Sequence, residues 1–300
     1  MHMSPSGGSA TACVHDVPRI VRALVFVSCL ALFSVTVALA SPNDGHGSQV
    51  AKTKALTARL TYKKADDLYS DMRVTITRTG GASVTFRLRP DGPLAPHAPG
   101  HWQPGSRSIY IRNLDASREP EVVVDLFTGG AHCCYYSIVF RYVPAIRRYV
   151  RVSHLWGDDL PLLKDLNGDG TPEFISGDFE FDYAFTDYVN TVEPIQIWRF
   201  VSGRFRVVSR DFPNEIRRSS NNHWADYRQL LAGGGTARGA LAAYLAEKYL
   251  LGEEAQGWTA LRSVAARGDL ALRIGDSPRD SANVYLANLR TFLVKHGYAR

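Results

Sequence analysis

The segment "DLNGDGTPEFISG" (Asp165–Gly177) carries the pattern from which the rest of the chain is interpreted. Oxygen-bearing side chains stand at every second position of its first half, at Asp165, Asn167 and Asp169, and a glycine and then Glu173 follow. Glycine permits tight winding of a loop because it adopts positive φ angles without strain. Converging oxygen atoms are the ligands that Ca²⁺ prefers. The segment therefore predicts a calcium loop, with a metal-free Asx-turn loop as the alternative.

A degenerate copy of this segment, "NLDASREPEVVVD" (Asn113–Asp125), lies about 50 residues earlier. The copy keeps the leucine, the proline and the glutamate, whereas Asp115 and Ser117 replace Asn167 and Asp169. Apolar strand-like runs precede and follow both copies. A period of about 50 residues with several strands in each unit is typical of propeller-type arrays.

The pattern of apolar residues changes once along the chain. Short alternating runs from about residue 56 to residue 212 predict strands, and "RVTITRTGGASVTFRLR" (residues 73–89) predicts a hairpin. From Pro213 the spacing becomes helical. The predicted fold class is α+β, with an N-terminal all-β domain of two to three propeller-blade-like repeats, open or sandwich-like, and then a C-terminal α-helical domain.

Four helices are predicted in the C-terminal part. Asn221 or Asn222 is expected to cap the first and Thr236 the second, the third spans roughly residues 253–267, and the fourth starts near Ser281. The acidic and aromatic segment "GDFEFDYAFTDYVN" (residues 177–190) precedes them, and its alternation predicts a strand with aromatic residues inward. A ligand-facing loop is the alternative for that segment.

The N-terminus predicts export. Arg19 and Arg22 precede an apolar run, Ala23–Ala40, which ends in the small-x-small pattern of a signal peptidase site. The predicted organisation is a signal peptide over residues 1–40, a linker over 41–55, the β-repeat domain with its calcium loop over 56–212, and the helical domain over 213–300. The expected location is the periplasm or the extracellular space. The alternative is an uncleaved membrane anchor, since the run is almost long enough to span a bilayer.

The charge balance bears on partners. A formal net charge of +6 suits contact with an anionic cell surface. No nucleic-acid motif and no fingerprint of a small-molecule cofactor are present. The expected partner is therefore a protein or a glycan of the cell envelope. Arginines recur in two equivalent hairpins, as Arg147, Arg148 and Arg151 and as Arg204, Arg206 and Arg210, and predict either an anionic contact surface or two solvated faces without a partner.

The segment from Asp165 to Phe174 resembles the calcium loop of FG-GAP/VCBS-type repeats, whose pattern is D-x-[DN]-x-D-G-x-x-[DE] followed by an apolar strand. The resemblance covers this loop in full and about 100 residues as a pair of units. It implies Ca²⁺ as the cofactor, with the carbonyl of Thr171 completing a ligand set of side chains from Asp165, Asn167, Asp169 and Glu173. Arg118 replaces the loop glycine in the degenerate copy, so we expect no cation there.

The adjacent cysteines Cys133 and Cys134 are the only two that follow the predicted signal peptide. An exported protein can hold disulfides, so a bond between these two is expected, with buried free thiols as an alternative. A soft-metal or redox site formed by His132, Cys133 and Cys134 is a further alternative.

No nucleophile elbow, HExxH motif or P-loop is present. The predicted function is accordingly that of a non-enzymatic, calcium-stabilised interaction protein of the envelope. The alternative is an envelope hydrolase with its site among Asp178, Glu180, Asp182, His154 and the cysteine pair. Convergence of these groups in one cleft would favour the enzyme, and scattering would favour the interaction protein.

Overall fold

A computed structural model describes residues 45–65, 68–88, 98–100, 106–117, 119–130, 133–277 and 279–299, with only the backbone of Leu68 and Cys133. The segment Ser41–Arg300 groups as one compact unit. The predicted signal peptide lies outside the described residues and stays a prediction. No helix in the described ranges is both long and apolar enough to cross a membrane.

The first sheet is an antiparallel meander of four strands. It contains β1 (Gly45–Lys52), β2 (Leu56–Ala65), β3 (Leu68–Arg78) and β4 (Ser83–Arg87), in that order. The hairpin predicted around residues 73–89 is β3–β4. The segment predicted as a linker contains β1, which pairs with β2 along its whole length. Backbone hydrogen bonds to β2 hold this polar segment in the sheet. Such bonds do not require apolar side chains, so the sequence of β1 shows no apolar alternation.

The second and third sheets are also antiparallel. The second contains β5 (Ala98–Pro99), β6 (Ile109–Arg112), β7 (Glu121–Gly130), β8 (Cys133–Val143) and β9 (Arg148–Gly157), and β5 and β6 both pair with β7. The third contains β10 (Leu162–Lys164), β11 (Glu173–Gly177), β12 (Ile195–Val201) and β13 (Arg204–Val207), in that order. The two copies of the loop therefore occupy equivalent places, between β6 and β7 and between β10 and β11.

Four helices follow the sheets: α1 (Pro213–Ala232), α2 (Arg238–Leu250), α3 (Glu254–Ala266) and α4 (Ala282–Lys295). The predicted sequence of antiparallel sheets and then helices is confirmed. The helix starts are confirmed in part. Ser281 caps α4 as expected, whereas α1 begins at Pro213 instead of Asn221 or Asn222, since proline suits the first turn of a helix.

Thr236 does not cap α2, whose N-cap is Ala237 without a side-chain hydrogen bond. The Thr236 hydroxyl instead bonds to the buried carboxylate of Asp276. That carboxylate also lies 3.5 Å from the buried guanidinium of Arg238. The hydroxyl also accepts from the Arg238 N–H at 3.4 Å, so the tertiary contact and a local bond at the start of α2 are both present.

The strand predicted over residues 177–190 is wrong. This segment, which connects β11 with β12, forms two short 3₁₀ turns, Phe179–Phe181 and Tyr188–Asn190, and Tyr183 has a left-handed φ of 57°. Phe181 and Phe185 leave the sheet and are buried in the apolar core of the helices. Their burial against the helices overrides the alternation that predicts a strand. The boundary at residue 213 stays a prediction, and part of the helical core comes from before it.

Candidate functional site

The loop between β10 and β11 is wound tightly by its own hydrogen bonds. The Asp165 carboxylate accepts from the backbone N–H groups of Gly168 and Gly170, at 2.7 and 2.9 Å. Both glycines have positive φ angles, 76° and 87°. The Asp169 carboxylate accepts from the backbone N–H and the hydroxyl of Thr171. The conformation that the sequence predicts for this loop is therefore present.

Asn167 and Asp169 bind each other across the top of the loop. The Asn167 side chain accepts from the Asp169 N–H at 3.1 Å and donates to Asp169 Oδ2 at 2.8 Å. The hydrogen bonds from Thr171, and after them the one from Asn167, lower the pKa of Asp169 to about 2. Asp169 is thus ionised at every physiological pH and holds its charge toward its neighbours.

Glu173, the first residue of β11, closes the base of the loop. Its side chain is wholly buried, and Oε2 accepts from the Leu166 N–H at 2.9 Å. Its other oxygen, Oε1, accepts from Arg199 Nε at 2.9 Å and also from Nη2 of the same guanidinium. Arg199 Nη2 lies 3.3 Å from Asp169 Oδ2 as well. A guanidinium from β12 therefore contacts two of the carboxylates predicted to bind calcium.

The residues of the loop do not fit a calcium ion as they are arranged. Calcium takes six to eight oxygen ligands at about 2.4 Å. Glu173 directs one oxygen to a backbone N–H and the other to Arg199, and Asp169 shares that guanidinium. No group of three or more His, Cys, Asp or Glu side chains in the described part of the chain is placed to hold a metal. A calcium ion at this loop requires Arg199 to withdraw.

The degenerate loop between β6 and β7 has the same buried glutamate, but its arginine makes different contacts. Glu121, the first residue of β7, is wholly buried, and its Oε2 accepts from the Leu114 N–H at 2.9 Å. Arg141 of β8 donates from Nε to Asp115 Oδ2 at 2.8 Å but lies 3.9 Å from Glu121 Oε1. That oxygen has no hydrogen-bond partner among the described residues. Burial, and then the nearby charge of Asp115, raise the pKa of Glu121 to about 7.

An acidic cleft of about 650 Å³ lies beside the connection from β11 to β12. Asp182 and Glu193 hydrogen-bond each other there, and the hydroxyl of Tyr188 bonds to Asp158. Burial is the main reason why the pKa of both Asp182 and Glu193 is raised, and the neighbouring carboxylates raise it further. Glu193 therefore stays protonated to a higher pH than Asp182 and can donate a hydrogen bond to the Asp182 carboxylate. Sequence patterns single out Asp182 but miss Glu193, which lies farther along the same irregular segment.

The other groups considered for a hydrolase are dispersed. His154 stacks against Phe205 with ring centres 4.6 Å apart, and burial lowers the pKa of His154 to about 4. Asp178 accepts from the Tyr298 hydroxyl at 2.7 Å, and Glu180 lies 3.6 Å from His296. These groups are committed to an aromatic cluster and to contacts with the C-terminal segment, so they do not converge on the acidic cleft.

The cysteine pair lies at the start of β8. Cys134 is disulfide-bonded, and its backbone N–H donates to the Thr128 hydroxyl at 2.8 Å. His132 and the side chain of Cys133 lie outside the described residues, so the bond between Cys133 and Cys134 stays a prediction. A sulfur in a disulfide is not a thiolate ligand, which counts against the soft-metal alternative.

With this geometry established, comparison with known protein families covers the helical part. The model of a family described as the sll0997 C-terminal domain matches residues 216–297, which contain nearly all of α1 to α4. The resemblance to FG-GAP/VCBS repeats is wrong, because no such repeat family matches the chain. The calcium ligand set loses the support of that resemblance and now depends on the donor groups alone.

Two curated proteins are similar to a larger part of the chain. The Probable thylakoid lumen protein sll0997 of Synechocystis sp. is 32% identical over 203 residues, covering 63% of this chain and 60% of that protein. The Uncharacterized protein y4bJ of Sinorhizobium fredii is 28% identical over 196 residues, covering 61% of this chain and 31% of that protein. The chain thus matches less than two thirds of the length of either relative.

One solved structure, that of a Xanthomonas type IV secretion system related protein, is aligned with 13% identity and a TM-score of 0.25. The alignment covers 54% of this chain and 93% of that one.

Proposed function

We propose that the protein is an exported, non-enzymatic interaction protein of the cell envelope. The similarity to a protein named for the thylakoid lumen supports an exported location, as does the apolar run at Ala23–Ala40. The dispersal of His154, Asp178 and Glu180 supports a role in binding over one in catalysis.

The proposal depends mainly on four arginines, which lie on the edge strands of two sheets. Arg148 and Arg151 lie on β9, and Arg204 and Arg206 lie on β13. All four side chains are exposed, and none forms an ion pair or hydrogen bond with another described residue. Arginine forks match carboxylate and phosphate groups bidentately. The partner that these exposed arginines suit is an anionic protein or glycan of the envelope.

The fifth and sixth arginines of the predicted set differ in their surroundings. Arg147 is exposed beside β9, in the left-handed conformation that ends a short 3₁₀ turn. Arg210 donates to the backbone carbonyls of Tyr249, Leu250 and Tyr298. We therefore assign Arg210 to the contact between sheet and helices and omit it from the partner surface.

A salt-dependent binding assay tests this surface. The protein is incubated with isolated envelope fractions at 0.05 to 1 M salt, a range over which the Debye length falls from above 10 Å to about 3 Å. We expect binding at low salt that is lost at high salt and is much weaker in R148Q/R151Q/R204Q/R206Q. The matched control K52Q/K54Q/R228Q/K295Q removes the same number of exposed charges elsewhere. Equal weakening in both variants would indicate a non-specific charge effect and contradict the proposed surface.

Two further parts of the proposal concern the β-rich region. The second and third sheets are taken as propeller-blade-like repeats, supported by the equivalent loops that they carry. Calcium binding by Asp165, Asn167, Asp169, Thr171 and Glu173 is proposed only on the condition that the ion displaces Arg199. A site of that kind is weaker than one whose carboxylates are free.

The acidic cleft supports a second candidate function, an envelope hydrolase. Two carboxyl groups that share one proton can serve together as acid and base. Asp182 and Glu193 are in hydrogen-bond contact, which is closer than the roughly 5 to 9.5 Å that glycoside hydrolases keep between their carboxyl groups. The cleft is therefore better suited to ester or amide hydrolysis than to glycoside hydrolysis.

The hydrolase candidate is tested with pooled ester and peptide substrates. If the protein is a hydrolase of this kind, a turnover signal should disappear in E193Q and D182N. It should persist in H154Q, because His154 lies in the aromatic cluster. Absence of turnover in the wild type across these pools removes this candidate and leaves the interaction protein.

A further inference from the structure

Both loops meet an arginine at the same position of the adjoining strand. The ladder between β7 and β8 includes the pair Val122–Phe140, and the ladder between β11 and β12 includes Phe174–Trp198. One step beyond each pair stand a glutamate and an arginine, Glu121 with Arg141 and Glu173 with Arg199. The sheet register thus delivers a guanidinium to the base of each loop.

The sequence around these arginines is also shared. Arg141 lies in "VFRYV" and Arg199 in "IWRFV", each between two aromatic residues. In β12 one of the flanking rings, Phe200, is fully buried in the aromatic core. Because neighbouring residues of a strand point to opposite faces, burial of Phe200 leaves Arg199 on the face where it contacts Glu173.

We propose that the arginines are the resident cations of the two loops, so that the loop at residues 165–173 is closed by Arg199 without a metal ion. Arg199 contacts Glu173 through two nitrogens and Asp169 through one, at the two acidic positions nearest β11. In the other loop Arg141 donates to Asp115, at the position that Asn167 occupies in the later loop, and lies 3.9 Å from Glu121.

Competition between calcium and the guanidinium follows from this arrangement. Glu173 is wholly buried, and both of its oxygens already accept hydrogen bonds. An ion that takes Glu173 as a ligand must leave the Arg199 charge, only 25% exposed, without its main partner. Breaking such a pair is strongly unfavourable. Removal of Arg199, in contrast, frees the oxygens for an external cation.

Calcium titration of the wild type and of two matched variants tests the proposal. R199M removes the guanidinium and keeps a chain of similar length. R206M is the control, because Arg206 pairs with Arg199 across β12 and β13 and is exposed. We expect 10 mM CaCl₂ to shift the melting temperature by less than about 1 °C in the wild type and in R206M. R199M should melt lower without calcium and gain several degrees with it, since a variant that binds calcium is stabilised by mass action.

A direct binding measurement keeps the proposal testable if R199M fails to fold. Calorimetric titration of the wild type with CaCl₂ should detect no site with a dissociation constant below about 1 mM, the weak end of natural extracellular calcium sites. A wild-type site tighter than that, lost in D169A, would overturn the proposal. So would a calcium shift in R199M no larger than that of the wild type, because it would mean that the guanidinium does not occupy the place of a cation.

Discussion

The two loops, residues 113–121 and 165–173, have the same frame and a different charge balance. In each, a wholly buried glutamate accepts from a leucine N–H at 2.9 Å. In the later loop the second oxygen of Glu173 accepts from Arg199, whereas the second oxygen of Glu121 has no hydrogen-bond partner in the described part of the chain. In the loop with the complete sequence pattern both oxygens of the buried glutamate are thus satisfied, whereas the degenerate loop leaves one oxygen of Glu121 without a described hydrogen-bond partner.

The largest expected difference between the loops is a pH dependence that arises from Glu121. Burial raises its pKa from the ordinary 4.5 to about 7, with Asp115 adding to the effect and Arg141 opposing it. Below pH 4.5 both the folded and the unfolded states bind the proton. As the pH rises toward 7 the unfolded chain loses it first, so the free energy of unfolding falls, by about 3 kcal/mol in total at about 1.4 kcal/mol for each tenfold change.

Urea unfolding of the wild type and of E121Q between pH 4.5 and 7.5 measures this contribution. The amide of E121Q does not ionise, so its stability relative to the wild type should rise across that range. Other groups that titrate there, such as His154, are present in both proteins and cancel in the difference. A constant difference across the range would mean that Glu121 is ionised in the folded protein and that Arg141 neutralises it.

The next effect concerns the pair at the later loop. E173Q removes the charge that faces Arg199 but keeps an oxygen for the Leu166 N–H. We expect a loss of about 2 kcal/mol, below the 3–5 kcal/mol for a fully buried pair, because the Arg199 side chain is 25% exposed. Urea unfolding at pH 7 gives the value. If the double variant E173Q/R199M is no more stable than the sum of the single variants predicts, the two side chains do not interact.

The sequence predicts the frame of both loops, since glycine, aspartate and a glutamate before an apolar run suffice to describe their hydrogen bonds. It does not predict Arg199, because the contact depends on the register of β12 against β11. The signal was present in the shared aromatic–arginine–aromatic triplets. Such a triplet alone is typical of any strand with one solvent-facing arginine. Only the strand register, which places each arginine opposite a glutamate, shows that the arginine contacts the loop.

The irregular segment after β11 shows a second limit. Its alternating acids and aromatics satisfy the pattern of a strand, yet Phe181 and Phe185 are buried among residues of α2 and α4. A local pattern cannot anticipate a core that is formed by helices more than 50 residues later. Asp182 and Glu193 lie in this same segment, and their contact depends on its irregular path, which the alternating pattern does not predict.

A smaller effect is expected at the fifth position of each loop. Asp169 accepts three hydrogen bonds within the loop, from Asn167 and Thr171, but its side chain is 40% exposed. D169A should lower the melting temperature only modestly, because water replaces part of what is lost. At the equivalent place, the Ser117 hydroxyl donates to the Glu119 carbonyl at 2.9 Å and accepts from the Glu119 N–H at 3.3 Å.

S117A should therefore cost about 0.5–1 kcal/mol, less than D169A, since neutral hydrogen bonds are weaker than charged ones. Thermal melts of both variants compare the two positions. The reverse order, with S117A the more destabilising, would mean that the turn around Ser117 is the better formed of the two and that charge at the fifth position contributes little.

The last effect is expected at the contact between the degenerate loop and the first sheet. Glu119 receives both terminal nitrogens of Arg78 from β3, at 2.7 and 2.8 Å, and so ties the loop to the first sheet. Thr171 occupies the corresponding position in the later loop, which has no such tie there. Because both side chains of the pair are about 30% exposed, E119Q should cost only about 0.5–1 kcal/mol. The loss should shrink in 1 M salt, where screening weakens the pair in the wild type. Urea unfolding at 0.1 and 1 M salt gives both values. Arg78 also stacks 4.2 Å from the centre of the Tyr142 ring. A cost above 2 kcal/mol at either salt concentration would show that Glu119, and not this ring, mainly holds Arg78 in place.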